Sequence, residues 1–179
     1  AQALKSNDAQ KVFSTYQEYS CRPVAFMFTG QGSQYAGMIG DLYERSCFVR
    51  EQVDMMAEIV SCKLGFDIRN YLLNKSDSPD FIKEQIHQTS IAQPALFITE
   101  YTLAKYLMQF GIIPKIMVGH SLGEYVAATL AGVFDLEDAL NTVVERGRLM
   151  QSTRHGSMLA VGLTQAEAEE YLSQDISLA

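Results

Sequence analysis

The stretch that decides the fold is KIMVGHSLGEYVAATLA, residues 115–131. Its first four residues are mostly apolar and predict a short buried strand, whereas residues 124–131 predict a helix. Between them lies Gly-x-Ser-x-Gly, centred on Ser121, in the strand–turn–helix context typical of a nucleophile elbow. Side chains two residues before and after the serine would clash in so tight a turn, which favours glycine at both places. The stretch therefore predicts an α/β fold with an exposed hydroxyl on a strained turn.

The role of Ser121 has two interpretations from this stretch alone. A helix that begins beside it directs free N–H groups and a partial positive charge to the place where an oxyanion would form, which favours nucleophilic catalysis. The same residues also form a Ser-x-x-Glu capping box with Glu124, which stabilises a helix start without any chemistry. The motif by itself leaves both open.

A second apolar strand, residues 24–28, runs into a loop with glycine on both sides of Gln31. Loops of this kind often bind a phosphate, but this one lacks the third glycine of Gly-x-Gly-x-x-Gly and the lysine of a P-loop. The spacing therefore argues against a nucleotide site. The loop can instead offer the backbone N–H of Gln31 to an oxyanion, as a second donor beside that of Leu122.

An amphipathic helix is predicted from Asp135, as its N-cap, to Gln151. Its buried stripe consists of Leu136, Leu140, Val143, Val144 and Gly147. Arg146 lies at the edge of that stripe, where an arginine most often extends its head group into water. The helix alone therefore favours a surface role for Arg146.

Four segments carry a resemblance to a known family. They are residues 28–34 (FTGQGSQ), 93–97 (QPALF), 119–124 (GHSLGE) and 146–151 (RGRLMQ). Their order and spacing resemble malonyl-CoA:acyl-carrier-protein transacylases, and most of all the acyltransferase domains of modular polyketide synthases. The resemblance covers residues 23 to about 172.

The resemblance implies which residues carry the chemistry. Ser121 would be the acyl-accepting nucleophile, and the backbone N–H groups of Gln31 and Leu122 would form the oxyanion hole. Arg146 would pair with the free carboxylate of the substrate, for which its planar fork of donors is suited. The implied substrate is malonyl-CoA or a related acyl-CoA, and the implied partners are an acyl carrier protein bearing phosphopantetheine and flanking synthase domains. No cofactor or metal of its own is implied for the chain.

The implied architecture is an α/β-hydrolase-like subdomain with a short parallel sheet, of which residues 23–156 form the N-terminal part. Residues 157–179 would begin a ferredoxin-like small subdomain. Their first six residues predict a strand, and a capping box at residues 164–167 precedes a helix to about Leu172. Residues 1–22 are polar and predict a helical tail or linker.

The catalytic histidine of that family lies far downstream of the serine, beyond residue 179. His120 adjoins the serine on a turn where neighbouring side chains diverge, so it is expected to line the pocket rather than to act as the base. His87 is predicted on the surface or at a helix end, and His155 as a helix C-cap. Gln93 either caps a helix or borders the pocket. The chain is therefore expected to be the first part of an acyltransferase domain, inactive by itself.

Three further segments are predicted from periodicity and breaker residues. Residues 41–64 predict one helix, and residues 74–80 predict a loop. Pro94 is predicted in the first turn of a helix that Gly111 closes.

Composition limits the class of protein. The 179 residues are 47% hydrophobic and 20% charged, as is usual for a globular domain. A net charge of −7 argues against a nucleic-acid partner, and the apolar runs are too short for a membrane span. No signal peptide is recognised, and three cysteines without metal-ligand spacing favour a reducing compartment, the cytoplasm. An acidic carrier protein would need a local basic patch, and no strong one is visible.

Two other classes of function compete with acyl transfer. A serine hydrolase, such as an esterase or thioesterase, would share the elbow but would not need Arg146 to bind a substrate carboxylate. A non-catalytic docking module could retain the fold, but the intact Ser121 argues against it.

Overall fold

The computed structural model describes residues 22–74, 79–154, 156 and 159–178. Within these ranges the chain forms two strands and eight helices. In chain order they are β1 (Val24–Phe28), α1 (Gly40–Arg45), α2 (Cys47–Leu64), α3 (Arg69–Leu72), α4 (Pro79–Gln85), α5 (Thr89–Gln109), β2 (Pro114–Gly119), α6 (Leu122–Leu130), α7 (Leu136–Ser152) and α8 (Gln165–Glu169). Of the helices described, none combines the length and apolar character needed to cross a lipid bilayer.

Strands β1 and β2 pair in parallel, and helices α1 to α5 lie between them in the chain. The register joins Val24 to Pro114 and Phe28 to Gly119, with an irregularity directly after Val24. Both strands therefore end at the same edge of the sheet. Ligand sites of parallel sheets form beyond the carboxyl ends of the strands. At that edge lie the loop of residues 29–34, called here the glutamine loop, and the turn that contains Ser121.

The helices cover one face of the sheet and form the core with it. Phe26 and Phe28 are buried on β1, whereas Met27 between them is 81% exposed. Helix α5 contacts α2, α6 and α7, so it lies at the centre of the helical layer. The largest fully buried side chains include Ile39, Met56, Ile68, Leu72, Phe97, Ile98, Leu122 and Leu140. Burial of this apolar surface is the main favourable contribution to folding.

The predicted elements around the two loops are confirmed. Both strands, α6 and α7 lie within about two residues of their predicted bounds. Helix α7 buries Leu140, Val143, Val144 and Gly147 as predicted, whereas Leu136 is only partly buried. Gly111 follows the end of α5 with a φ of 77°, the left-handed conformation that closes many helices.

Two predicted helix boundaries are wrong. The helix predicted over residues 41–64 is interrupted at Ser46, whose backbone is extended and whose hydroxyl accepts a hydrogen bond from Val49 N (3.3 Å). Ser46 therefore acts as the N-cap of α2. Helix α5 begins at Thr89, so Pro94 lies inside the helix rather than in its first turn. Tertiary packing on α2, α6 and α7, rather than local hydrogen bonding, stabilises α5 across this proline.

The C-terminal part of the chain also departs from its prediction. The strand predicted over residues 157–162 is not formed in its described part, residues 159–162. No described strand lies beside these residues, and an isolated strand leaves its backbone groups unpaired. The capping box of Thr164 and Glu167 is confirmed, but α8 ends at Glu169 and not near residue 172.

Some predictions fall wholly or partly outside the described residues. The tail predicted over residues 1–22 is described only at Arg22, and His155 is not described at all. The loop predicted over residues 74–80 is described only at its ends, where α4 already begins at Pro79.

Candidate active site

The turn between β2 and α6 has no room for side chains at its two glycines. A Cβ on Gly119 would lie 2.1 Å from Glu124 N, and a Cβ on Gly123 would lie 2.5 Å from Phe28 O. The predicted clash across the turn is therefore confirmed for Gly119. Gly123 is required for a different reason, because its backbone approaches the neighbouring strand β1.

Ser121 occupies a strained position in this turn. Its φ of 55° and ψ of −105° lie where residues other than glycine are uncommon, at a cost of roughly 1–3 kcal/mol. Two backbone hydrogen bonds stabilise the turn, from Gly123 N to His120 O and from His120 N to Phe28 O, both 3.0 Å. The side chain of Ser121 is left exposed at the start of α6.

The capping box predicted at the start of α6 is not formed. The hydroxyl of Ser121 caps no backbone N–H of the helix. Glu124 Oε1 accepts a hydrogen bond from Gly119 N (3.1 Å) rather than from the serine backbone. The reason is the backbone of Ser121, which departs from the extended conformation of ordinary N-cap residues. Glu124 thus stabilises the turn, and the hydroxyl is available to other partners.

Arg146 reaches this hydroxyl from α7. Its Nη2 donates a hydrogen bond to Ser121 Oγ (3.1 Å), and its guanidinium carbon lies 5.6 Å from the centre of the Tyr125 ring, within the range of a cation–π contact. Arg148 on the same helix instead pairs with Glu145 at the exposed surface (2.6 Å). Arg146 is thus partly buried in contacts with Ser121 and Tyr125, whereas Arg148 has the exposed position that helix periodicity alone favours for Arg146.

The backbone N–H groups of Gln31 and Leu122 donate no hydrogen bond to any described residue. Leu122 is the first residue of α6, where helix geometry leaves the N–H without an intrahelical acceptor. Gln31 lies in the loop after β1, and its side-chain Nε2 donates to Thr89 Oγ1 (3.1 Å). Fixed and unpaired N–H groups are the donors that stabilise an oxyanion.

The glutamine loop, residues 29–34, is held in place by contacts on both sides. Gly32 N donates to Gln34 Oε1 (2.7 Å), and Gln34 Nε2 lies 3.2 Å from His87 Nδ1. A Cβ on Gly30 would lie 2.6 Å from the Nδ1 atom of His120, so the loop packs directly on that imidazole. Both described histidines therefore contact the glutamine loop, and neither forms a hydrogen bond with the serine.

Gln93 is fully buried inside α5, so the prediction that it caps a helix is wrong. Its Nε2 lies 3.2 Å from Met150 Sδ on α7, and its Oε1 is buried without a partner among the described residues. The two helices cross closely here, because a Cβ on Gly147 would lie 3.1 Å from Thr89 O. Gln93 thus lies at a helix crossing, one turn from the residue that binds the Gln31 side chain. That it lines a substrate pocket stays a prediction.

A polar groove of about 480 Å³ opens beside this crossing. Its lining includes Glu84, His87, Thr89, Gln151 and Arg154. Neither Ser121 nor Arg146 lines the groove. Thr89, which does line it, accepts a hydrogen bond from the side chain of Gln31. Across the part of the chain that the structure describes, no group of three His, Cys, Asp or Glu side chains is arranged to bind a metal ion.

Sequence reasoning missed Glu100, on α5. Its Oε1 accepts hydrogen bonds from Thr29 N (2.9 Å) and from Thr29 Oγ1. Burial raises the pKa of Glu100 above its ordinary value, although the two bonds from Thr29 act in the opposite direction. A signal was present in the sequence, because a glutamate among the apolar and aromatic residues of 97–101 is rarely buried without a partner.

Comparison with known proteins gives a consistent result. A family model described as "Acyl transferase domain" matches residues 25–179. Over 155 residues the chain is 37% identical to a component of the phenolphthiocerol/phthiocerol polyketide synthase of Mycobacterium tuberculosis, a match that covers 87% of this chain and 10% of that protein. The sequence resemblance to polyketide synthase acyltransferase domains is therefore confirmed.

Solved structures show the same fold. The acyl transferase domain of ZmaA matches with a TM-score of 0.84 and 38% identity, over 94% of this chain and 39% of that one. A malonyl-transacylase in complex with its type II polyketide synthase acyl-carrier protein (PlMCAT:AntF) matches with a TM-score of 0.62 and 33% identity, over 73% and 39%. The predicted α/β fold with a short parallel sheet is confirmed. The chain spans about two fifths of these solved chains and a tenth of the mycobacterial synthase protein.

Proposed function

The chain belongs to the acyl transferase domain family, and from this premise we propose that it transfers a malonyl-type group from acyl-CoA to an acyl carrier protein through an acyl ester on Ser121. The observation that carries the proposal is the 3.1 Å hydrogen bond from Arg146 Nη2 to Ser121 Oγ. It brings a guanidinium, which binds carboxylates in a bidentate manner, within reach of an exposed hydroxyl. A malonyl thioester offers one group to each, a carbonyl to the serine and a free carboxylate to the arginine.

The proposed reaction proceeds in two matched halves. Ser121 Oγ attacks the thioester carbonyl while its proton passes to a general base, the C–S bond breaks, and CoA leaves as the thiol after taking up the proton. The phosphopantetheine thiol of the carrier then attacks the acyl ester, its proton returns through the base to Ser121 Oγ, and the serine is regenerated. In both halves the N–H groups of Gln31 and Leu122 stabilise the oxyanion, and loss of one such donor typically lowers a rate about 10²–10³-fold.

Arg146 would change its partner when substrate binds. In the described structure it donates to the serine hydroxyl, and in the complex its fork of donors would turn to the malonyl carboxylate. The guanidinium also lies against the Tyr125 ring, a cation–π contact that would favour its staying beside the serine during this change. The cation therefore selects for acyl groups with a second carboxylate.

A general base for Ser121 is proposed to come from outside the described residues. His120 packs on Gly30, and His87 lies beside Gln34, so neither is in position to take the serine proton. General-base assistance is worth roughly 10²–10⁴ in rate. The third histidine, His155, is predicted from the sequence to cap a helix end. On that expectation we propose that residues 1–179 by themselves do not sustain turnover.

The proposed partner is an acyl carrier protein that bears phosphopantetheine, with flanking synthase domains, in polyketide biosynthesis in the cytoplasm. A similar malonyl-transacylase has been solved with its acyl-carrier protein. Because this chain carries a net charge of −7 and carrier proteins are typically acidic, docking would need a local basic surface. We place residues 23–156 in a hydrolase-like subdomain and residues 157–179 at the start of a ferredoxin-like one.

A product-partition experiment tests acyl transfer against hydrolysis. The full-length protein is incubated with labelled malonyl-CoA and the phosphopantetheine-bearing carrier, and label is counted on the carrier and as free malonate. Transfer should exceed hydrolysis and should disappear in Ser121→Ala, whereas Ser61→Ala, which removes a hydroxyl without a hydrogen-bond partner among the described residues, should leave it unchanged. Release of mainly malonate would indicate a serine hydrolase, and binding of the carrier without either product would indicate a docking module.

A further inference from the structure

The carboxyl group of Glu100 lies directly behind the glutamine loop. Its Oε1 accepts hydrogen bonds from both the N–H and the hydroxyl of Thr29, the first residue after β1. The Thr29 hydroxyl is also 2.7 Å from Ser33 Oγ, and Ser33 Oγ lies 3.1 Å from Gly30 O. A chain of hydrogen bonds therefore runs from α5 through Thr29 to the far end of the loop.

Glu100 fixes the point at which the chain leaves the sheet. Among the described residues, no other acidic side chain forms a hydrogen bond with residues 29–34. Thr29 is two residues before Gln31, so the orientation of its peptide plane helps to set the direction of the Gln31 N–H. The carbonyl of Gly30, in the same peptide group as the Gln31 N–H, accepts a hydrogen bond from Ser33 Oγ (3.1 Å), which in turn lies 2.7 Å from the Thr29 hydroxyl. The contact of Gln31 itself is made by its side chain, which donates to Thr89.

The environment of Glu100 is unfavourable for a residue that serves only to pack. The side chain is largely buried, and its second oxygen, Oε2, is buried without a hydrogen-bond partner among the described residues. A buried polar atom without a partner destabilises the folded state, and an apolar residue of similar size would avoid that penalty. Glu100 therefore combines an unpaired buried oxygen, which is unfavourable for stability, with a second oxygen that contacts the start of the glutamine loop, a combination typical of groups that serve a site.

We propose that Glu100 is a positioning residue for acyl transfer, which acts through Thr29 to hold the Gln31 N–H in the orientation that the oxyanion requires. This inference rests on the proposed function, because it assigns to Glu100 the support of one donor of that reaction. Glu100 does not touch the substrate. Its loss therefore lowers the rate of Ser121 acylation and leaves substrate binding nearly unchanged.

The test measures kcat and KM for malonyl transfer by the full-length protein, together with the thermal unfolding midpoint of each variant. Glu100→Ala is expected to lower kcat about 10- to 100-fold, somewhat less than complete loss of an oxyanion donor, with KM within about twofold by the same reasoning. Glu100→Gln keeps an acceptor oxygen for Thr29 and should recover part of this loss. Thr102→Val is the matched control, because it removes a buried hydroxyl on the same helix that has no partner among the described residues, and its kcat should be that of the wild type.

Coupling between the two residues separates positioning from general stability. If Glu100 acts through Thr29, then Thr29→Val should lower kcat in the wild type and have little further effect in Glu100→Ala, so the two losses should not add. Additive losses, or a kcat that falls only in proportion to the folded fraction, would overturn the inference. A kcat equal to that of the wild type in both Glu100→Gln and Thr29→Val would also overturn the inference. This outcome can be measured even if Glu100→Ala does not fold. If the wild type forms no Ser121 ester, the proposed function fails and this inference fails with it; if the ester forms and the Glu100 variants are unaffected, only this inference fails.

Discussion

Replacing Arg146 by alanine should distinguish acyl groups with a free carboxylate from those without one. The guanidinium is partly buried against Tyr125 and lies 3.1 Å from the serine hydroxyl, so its bond to a bound carboxylate is only partly exposed to water. A hydrogen bond to a charged group in such a place contributes about 1.5–3 kcal/mol. At about 1.36 kcal/mol per factor of ten, kcat/KM for malonyl-CoA should fall roughly 10- to 100-fold.

Acetyl-CoA should respond differently to the same substitution. It has no second carboxylate, and removal of Arg146 frees a lone pair of Ser121 Oγ that the guanidinium otherwise occupies. Acetyl transfer should therefore be unchanged or slightly faster. Arg146→Lys keeps the charge but loses the planar fork, so malonyl transfer should be intermediate.

The assay compares kcat/KM for the two acyl-CoA substrates in the full-length protein. Arg148→Ala is the control, because this arginine lies two residues further along α7 and forms an exposed ion pair with Glu145, a type of contact that contributes little. It should leave both substrates unaffected. An equal loss for malonyl-CoA and acetyl-CoA in Arg146→Ala would refute carboxylate recognition and leave Arg146 with a structural role.

Three further predictions follow from the described contacts. Gly123→Ala places a methyl group 2.5 Å from Phe28 O, so the free energy of unfolding should fall by at least about 1–3 kcal/mol. An unchanged midpoint temperature of thermal unfolding would contradict the packing described. Burial raises the pKa of Glu100 in the native state above its ordinary value, so the native state binds more protons than the unfolded chain at pH values between the ordinary pKa and the raised one. Urea unfolding should then show wild-type stability falling relative to Glu100→Gln as the pH rises through that window, and the opposite slope would exclude a raised pKa. Residues 1–179 alone should show no steady-state transfer in the carrier assay, and turnover near that of the full-length protein would assign the base to a histidine within them.

The parts of the fold that the sequence predicts are those fixed by neighbouring residues. The turn around Ser121 depends on two glycines within five residues, and α7 on an apolar stripe along a single helix. Helix boundaries were less predictable. The break at Ser46 is a local N-cap that the apolar periodicity of residues 41–64 does not reveal. The position of Pro94 inside α5 depends instead on packing between helices, which outweighed a local preference.

The candidate site was predictable only where a motif marks it. The contact of Arg146 with Ser121 joins residues 25 apart in the chain, and helix periodicity alone favours a surface role for that arginine. Only the family resemblance directs attention to the pair. The contact of Glu100 with Thr29 spans 71 residues, and no local pattern connects them. Such pairs arise from the parallel pairing of β1 with β2 and the packing of α5 behind them.

The most direct test of the central claim is the mass of the protein after brief exposure to malonyl-CoA. The full-length wild type should gain one malonyl group, and peptide mapping should place it on the peptide that contains Ser121. The adduct should be absent in Ser121→Ala and should be discharged by the phosphopantetheine-bearing carrier protein. An adduct that persists in Ser121→Ala, or that maps to another residue, would contradict the account.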